Sequence, residues 1–304
     1  MKKLISLIIA LVCMLSLFAC GGNDASAIKE FELKGEKMER IELKNYVLDR
    51  QQEYLKKDME KTGAGEDKWF DIDIKNQWLG ESADSSYEIF WHINGRMGVL
   101  IGSEDIALDV EVYIDGVQFD TENGKESKET VNVEGNIIYV DGVAYADLEV
   151  KQMTAGMTTT ITVKQKSELD EALSFVELDI ERFFYDYFVW NDTQTRIYGI
   201  NVAKLVNNLR GEHYLDKNTI YLERRTSTPG TYADVEETLQ YKIEFEKNSA
   251  IVKSALVYGR TLTQNKGAFS EYTSTQDIKT LFSIESIGAQ KIKVPDADDY
   301  KWAD

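Results

Sequence analysis

Runs in which apolar and polar residues alternate one for one dominate the first half of the chain. In Phe70-Asp71-Ile72-Asp73-Ile74-Lys75 the apolar side chains fall on one side of an extended backbone and the charges on the other, as a half-buried strand requires. Tyr87, Ile89, Trp91 and Ile93 repeat the pattern, and so do Leu108, Val110, Val112 and Ile114 set against Asp109, Glu111 and Asp115. Asn94-Gly95, Asp115-Gly116 and Asp141-Gly142 each lie between apolar runs, and such pairs accept the positive φ angles of tight hairpin turns. Strands joined by tight turns pair with their neighbours, so the pattern predicts a long antiparallel meander. Two of the predicted hairpins are near copies, Val112-Tyr113-Ile114-Asp115-Gly116-Val117-Gln118-Phe119 and Ile138-Tyr139-Val140-Asp141-Gly142-Val143-Ala144-Tyr145. A copy this short reads as convergent hairpin design and not as a repeat architecture.

The period changes at identifiable places. Ser167, followed by Asp170 and Glu171, suits a helix N-cap, after which Leu169, Leu173, Val176, Ile180, Phe183 and Tyr187 step by fours and threes, widened by Phe184 and Phe188. A second helix is predicted over Val202 to Arg210, capped by Asn201, stopped by Gly211 and presenting Leu205, Val206 and Leu209. A third covers Asn45 to Lys61, with Leu48, Leu55 and Met59 on one face. Strand signals return in Thr219 to Glu223, in Leu239 to Phe245, which turns at Lys247-Asn248 into Ala250 to Val257, and in the tail from Gln290 to Pro295. The fold class this predicts is α+β: a curved antiparallel sheet, a half-barrel-like meander, with amphipathic helices packed on it. It is either one sheet or two similar halves, 28–166 and 167–304.

The first residues change where such a domain must work. Met1-Lys2-Lys3 is a positive n-region, and Leu4 to Ala19 is an apolar run of 16 residues. That falls short of the ~20 a membrane-spanning helix needs, so residues 1–19 read as an export signal. Leu17-Phe18-Ala19-Cys20, with a small residue before the cysteine and Leu at the third position before it, resembles the lipobox of bacterial lipoproteins. The resemblance implies that the Cys20 thiol carries diacylglycerol and anchors the chain to the extracytoplasmic face of a membrane, with residues 20–27 as a flexible tether to a domain at 28–304. Two acyl chains, each contributing about 0.8 kcal/mol per buried CH₂, hold far longer than one. The alternative is an ordinary secretory signal cut after Ala25-Ser26-Ala27.

Loss of Lys2 and Lys3 with the signal takes the formal charge from −18 to −20. So acidic a surface argues against nucleic-acid partners, which select clustered Lys and Arg. Cys20 is then the only cysteine left, so no disulfide forms within the chain, and a domain of this size buries enough core without one.

An exported chain with long alternating strands, the Tyr139-Val140-Asp141-Gly142-Val143-Ala144-Tyr145 hairpin, packed helices and an Ile292-Lys293-Val294-Pro295-Asp296 tail resembles the LolA-like lipoprotein-carrier and lipid-binding half-barrel lipoproteins. The resemblance spans residues 40 to 298 and implies an unclosed barrel capped by helices around an apolar cavity for acyl chains. The lining would be drawn from Trp78, Tyr87, Ile89, Trp91, Leu108, Val110 and Val112. Read without the resemblance, the same side chains are ordinary core beneath helices.

Enzyme chemistry finds little purchase. The two histidines are His92 and His213, and His92 falls opposite the Tyr87, Ile89 and Trp91 face. No G-x-S-x-G elbow, H-E-x-x-H helix, phosphate-cradling glycine loop or Cys-His constellation occurs, so no catalytic, cofactor-binding or metal-ligating residue is assigned. Acidic clusters at Asp71/Asp73 and at Asp296/Asp298/Asp299 would serve glycoside hydrolysis or calcium binding only if the fold drew them together. The hairpin pattern also departs from the parallel βαβ units of solute receptors. Three readings follow: a membrane-tethered extracytoplasmic carrier of a lipid, an acyl chain or a lipoprotein; an envelope interaction module without ligand; and a carboxylate-based envelope hydrolase.

Overall fold

Alternation in this sequence runs on far past the length of an ordinary strand, and the strands grow with it. The computed structural model describes residues 29–62, 68–100, 105–122, 125–168, 205–207, 209–247, 252–266 and 271–302. The elements are β1 (Glu36–Lys37), α1 (Arg40–Thr62), β2 (Lys68–Glu81), β3 (Ser85–Leu100), β4 (Asp105–Glu122), β5 (Lys125–Val140), β6 (Val143–Thr154) and β7 (Met157–Glu168). After them come β8 (Glu212–Asp216), β9 (Thr219–Thr228), β10 (Ala233–Phe245), β11 (Val252–Lys266), β12 (Glu271–Ile287), a 3₁₀ turn (Ala297–Asp299) and β13 (Lys301–Trp302). All the strands form one 13-stranded sheet in the order β1-β8-β9-β10-β11-β12-β2-β3-β4-β5-β6-β7-β13, antiparallel throughout except where β13 runs parallel to β7.

This corrects the α+β expectation. Two antiparallel meanders, β2 to β7 and β8 to β12, merge through the β12–β2 pairing into a single sheet, and α1 is the one long helix among the described residues. Strands β2 to β5 run to 14, 16, 18 and 16 residues, against about 5–6 for a usual strand, so chain expected in turns lies in the ladder. The helix expected from Ser167 falls outside the described residues apart from Ser167 and Glu168, which belong to β7. Of the Val202–Arg210 helix, residues 205–207 are helical, and Leu205, Val206 and Leu209 are buried in the core. Cys20, the signal and the tether also lie outside the described residues.

The glycine pairs show why the strands run on. Asn94-Gly95 and Asp115-Gly116, expected as turns, sit mid-strand with ladder partners on both flanks. Gly95 lies between Ile72 and Val110 at φ 157°, and a Cβ there would meet the Asp109 carbonyl oxygen at 2.2 Å and the Val110 Cα at 2.7 Å. Close backbone approach, not chain reversal, is what this glycine serves. Only Asp141-Gly142 turns, at φ 53° and 78°, between β5 and β6. The two near copies are therefore different structures: one is continuous β4, the other a hairpin.

Helix α1 begins five residues before its predicted start because its N-terminal signal is Glu39-x-x-Glu42. The Glu42 carboxylate accepts from the Glu39 N–H at 3.3 Å, one half of a capping box, and Met38 packs against the core cluster that contains Leu43. Leu43 and Val47, one turn apart, have no exposed surface. Arg50 then fastens the helix to the sheet: its guanidinium donates to Asn218 Oδ1 at 3.1 Å and to the Glu246 carbonyl at 2.6 Å, and lies 5.0 Å from the Phe245 ring centre.

Both sheet edges are blunted by the chain itself, β8 by β1 and β7 by β13. The tail expected as a strand over Gln290 to Pro295 instead leads across the sheet to the 3₁₀ turn. Ile292 is buried with Trp69 and Ala107, Lys166 donates to the Ala297 carbonyl at 2.5 Å, and Tyr300 meets Tyr145 edge-on at 5.2 Å.

Candidate functional site

Registers across the sheet decide which side chains meet. Trp78 pairs with Ile89 and Ile278, Asn76 with Trp91 and Thr280, and Ile74 with Ile93 and Phe282. Val112 stands opposite Ile93, Val110 opposite Gly95, Leu108 opposite Met97, and Tyr87 opposite Gly80. Trp78, Tyr87, Ile89, Trp91, Leu108, Val110 and Val112 are thus gathered on one face of β2, β3 and β4. The same face continues through Ala255 and Val257 of β11, Tyr241 and Ile243 of β10, and Ile220 and Leu222 of β9.

Cover on this apolar face is uneven. Toward β8–β12, Leu43 and Val47 of α1 and Leu205, Val206 and Leu209 join one cluster with Ile220, Leu222, Ile243, Phe245, Phe282 and Ile284. Toward β3–β5, Ile93, Leu108, Val112, Ile114 and Ile137 are only half-buried, as are Trp78 and Tyr87. At the end of β2 remote from Phe70 the face becomes polar. There Tyr87, Ser82, Ser85, Thr261, Thr263 and Gln276 line a concavity of about 230 Å³, and Gln276 donates to the Tyr87 hydroxyl at 2.7 Å. A second concavity, of about 500 Å³, lies on the other face between the N-terminal segment and β9–β10. There the Phe31 N–H donates to Gln240 Oε1 at 3.0 Å, Gln240 Nε2 returns a bond to the Phe31 carbonyl at 3.0 Å, and Arg225 holds both Glu30 and Glu223. Neither concavity is an enclosed aromatic cavity of the kind the half-barrel resemblance implied.

Sequence reasoning missed Asn76 and Thr280. Each takes an apolar-face position of the alternation, Asn76 between Ile74 and Trp78 and Thr280 between Ile278 and Phe282, and that mismatch was the available signal. Asn76 is 5 % exposed and donates through Nδ2 to Thr280 Oγ1 at 2.8 Å, which leaves its Oδ1 without a partner among the described residues. The indole N–H groups of Trp78 and of Trp91, the latter 6 % exposed, are buried and likewise have no partner among the described residues. A buried polar group left unsatisfied costs about 1–3 kcal/mol, so three in adjoining positions are a substantial local debt.

The opposite face is a lattice of opposed charges. His92 Nε2 lies 2.5 Å from Asp73 Oδ1, Lys75 sits 3.6 Å from the same carboxylate, and Arg96 pairs with Asp109 at 2.6 Å. Asp73 is therefore engaged by His92 and Lys75 and not by a second carboxylate, while Asp296 accepts from the Asp298 N–H to cap the 3₁₀ turn. Among the described residues no group of three or more His, Cys, Asp or Glu side chains is placed to hold a metal ion, and no helix is long and apolar enough to cross a membrane. His213 is buried with its Nε2–H donating to the Leu209 carbonyl at 3.2 Å, and burial holds its pKa below the usual imidazole value.

No family model matches this chain, and no curated protein matches it either. Among solved structures, the translocator domain of the autotransporter NalP from Neisseria meningitidis aligns over 80 % of this chain and 97 % of that domain, at 7 % identity and a TM-score of 0.15. So low a score gives the alignment no weight for fold or function. Nothing in these comparisons points to an enzyme.

Proposed function

We propose that this chain is a membrane-tethered extracytoplasmic lipoprotein that binds or carries an apolar ligand, a lipid or acyl chain, against the apolar face of its sheet. The observation that carries the reading is the uneven cover: large side chains such as Ile93, Leu108, Val112 and Ile114 are left half-buried on a face otherwise packed beneath α1. Apolar surface of this kind is stabilised by whatever removes it from water, at about 25 cal/mol per Å². The polar concavity around Tyr87 and Gln276 would form the mouth through which a chain slides onto the face.

The anchor would be diacylglycerol on Cys20. Phe31 is already pinned to the polar face by Gln240, so about ten residues separate the anchor from the folded domain, a reach of about 35 Å at ~3.5 Å per extended residue. That holds the domain close to its membrane.

Native mass spectrometry of the mature chain released from membranes tests both parts. Expected is a polypeptide carrying a covalent diacylglycerol at Cys20 together with one dissociable lipid per chain. A mass fully explained by the polypeptide and its anchor would leave an envelope interaction module as the better account, and an unmodified Cys20 would refute the tether.

A further inference from the structure

Three polar atoms without a partner among the described residues, Asn76 Oδ1, Trp78 Nε1 and Trp91 Nε1, occupy adjoining positions on the apolar face, since Asn76 stands directly opposite Trp91 and Trp78 is two residues further along β2. Phe at either tryptophan would fill its position without stranding an indole N–H, and of the Asn76 amide the bond to Thr280 employs only the Nδ2 end, so these three atoms bring nothing to the packing of the fold. We infer that this patch is a recognition site for the polar linkage of a neutral acyl lipid, in which a ligand carbonyl oxygen accepts from the indole N–H groups and a ligand hydroxyl or amide N–H donates to Asn76. The inference rests on the apolar-ligand reading proposed above and adds the head-group chemistry to it.

Neutrality follows from what surrounds the patch. The residues that share this face on β12, β2, β3 and β4 (Ile278 and Phe282, Ile74, Ile89 and Ile93, Val112 and Ile114) include no Lys or Arg, so a buried carboxylate or phosphate would find no counter-charge. Two donors and one acceptor match an acyl ester with a free hydroxyl beside it, as in a monoacylglycerol, or an acyl amide. A bare hydrocarbon would leave all three atoms unpaired, and a site built from hydrogen-bonding groups discriminates against a ligand that lacks the complementary ones.

The test compares three probes of equal chain length on the whole mature chain: monomyristoylglycerol, tetradecanoate and tetradecane, with binding followed by tryptophan fluorescence and by native mass spectrometry. Expected is binding of monomyristoylglycerol about tenfold or more tighter than of either other probe. Trp91→Phe and Asn76→Leu should each lower the ratio of monomyristoylglycerol to tetradecane affinity several-fold. The probe ranking on the unaltered chain stands whether or not either variant folds. Equal affinity for tetradecane and monomyristoylglycerol would overturn this inference and leave the apolar-ligand reading intact, and tightest binding of tetradecanoate would overturn the neutral assignment. Failure of all three probes to bind would refute the apolar-ligand reading itself.

Discussion

Gly95→Ala separates a close backbone approach from a hairpin turn more sharply than any other single change in this sheet. At φ 157° the position lies where an L side chain is strained, and the new Cβ would fall 2.2 Å from the Asp109 carbonyl oxygen and 3.1 Å from its carbon. These are backbone atoms held in the β3–β4 ladder on one side and the β4–β5 ladder on the other, so neither can swing aside as a side-chain tip would. Strain at an unfavourable φ contributes about 1–3 kcal/mol and forced overpacking a further ~1–3 kcal/mol, for a total of about 2–6 kcal/mol. Against a stability of about 5–15 kcal/mol that is a large fraction. The control is Gly259→Ala on the same sheet, where the added Cβ would meet Leu239 and Ile278 at ordinary distances of 3.6 and 3.7 Å. With no strain and less unfolded-chain entropy, it should be neutral or stabilising by up to about 1 kcal/mol. Urea unfolding followed by far-ultraviolet circular dichroism measures both as shifts in midpoint at constant slope. A Gly95→Ala chain that unfolds at the parent midpoint would refute the continuous β3 and restore a loop at Asn94-Gly95.

Leu43→Ala removes a side chain with no exposed surface from beneath α1 and should destabilise by about 2–5 kcal/mol, whereas Ile41→Ala, at a position 66 % exposed, should stay within about 0.5 kcal/mol in the same denaturation assay. Equal effects would mean that α1 packs through another face. His213 gives a pH signature: burial depresses its folded pKa below the unfolded value of about 6.5, so on acidification the unfolded chain takes up a proton that the folded chain resists. Stability is accordingly full above pH ~6.5 and declines as the pH falls below it, before the carboxylates titrate. Urea midpoints between pH 7.5 and 5.5 should show this decline in the parent and not in His213→Asn; identical slopes in the two chains would refute the buried, neutral imidazole.

Period-two alternation was enough to place β2, β3 and β4 and to put Trp78, Tyr87, Ile89, Trp91, Leu108, Val110 and Val112 on a common face, because side-chain direction in a strand is fixed by the pleat alone. It could not say where a strand stops. Tyr113-Ile114-Asp115-Gly116 and Tyr139-Val140-Asp141-Gly142 carry nearly the same local preferences, yet the first stays extended because β3 and β5 pair with it along both flanks. Pairing at long sequence separation outweighs turn propensity there, and no local window contains that information. The long ladders, up to 18 residues in β4, take in the expected turns at Asn94-Gly95 and Asp115-Gly116, so the described residues are mostly one sheet with α1 as their one long helix. Polar residues at apolar-face positions are the complementary case. Asn76 and Thr280 break the alternation visibly in the sequence, but their meaning depends on β12 lying beside β2, a contact spanning 204 residues of chain. Once that neighbour is in place, Thr280 satisfies one end of the Asn76 amide, while the other end and the two indole N–H groups beside it have no partner among the described residues. A break in pattern that the protein's own contacts resolve is a packing detail; one that the described residues leave half-resolved, inside an apolar face with uneven cover, is the ground on which the proposed lipid site rests.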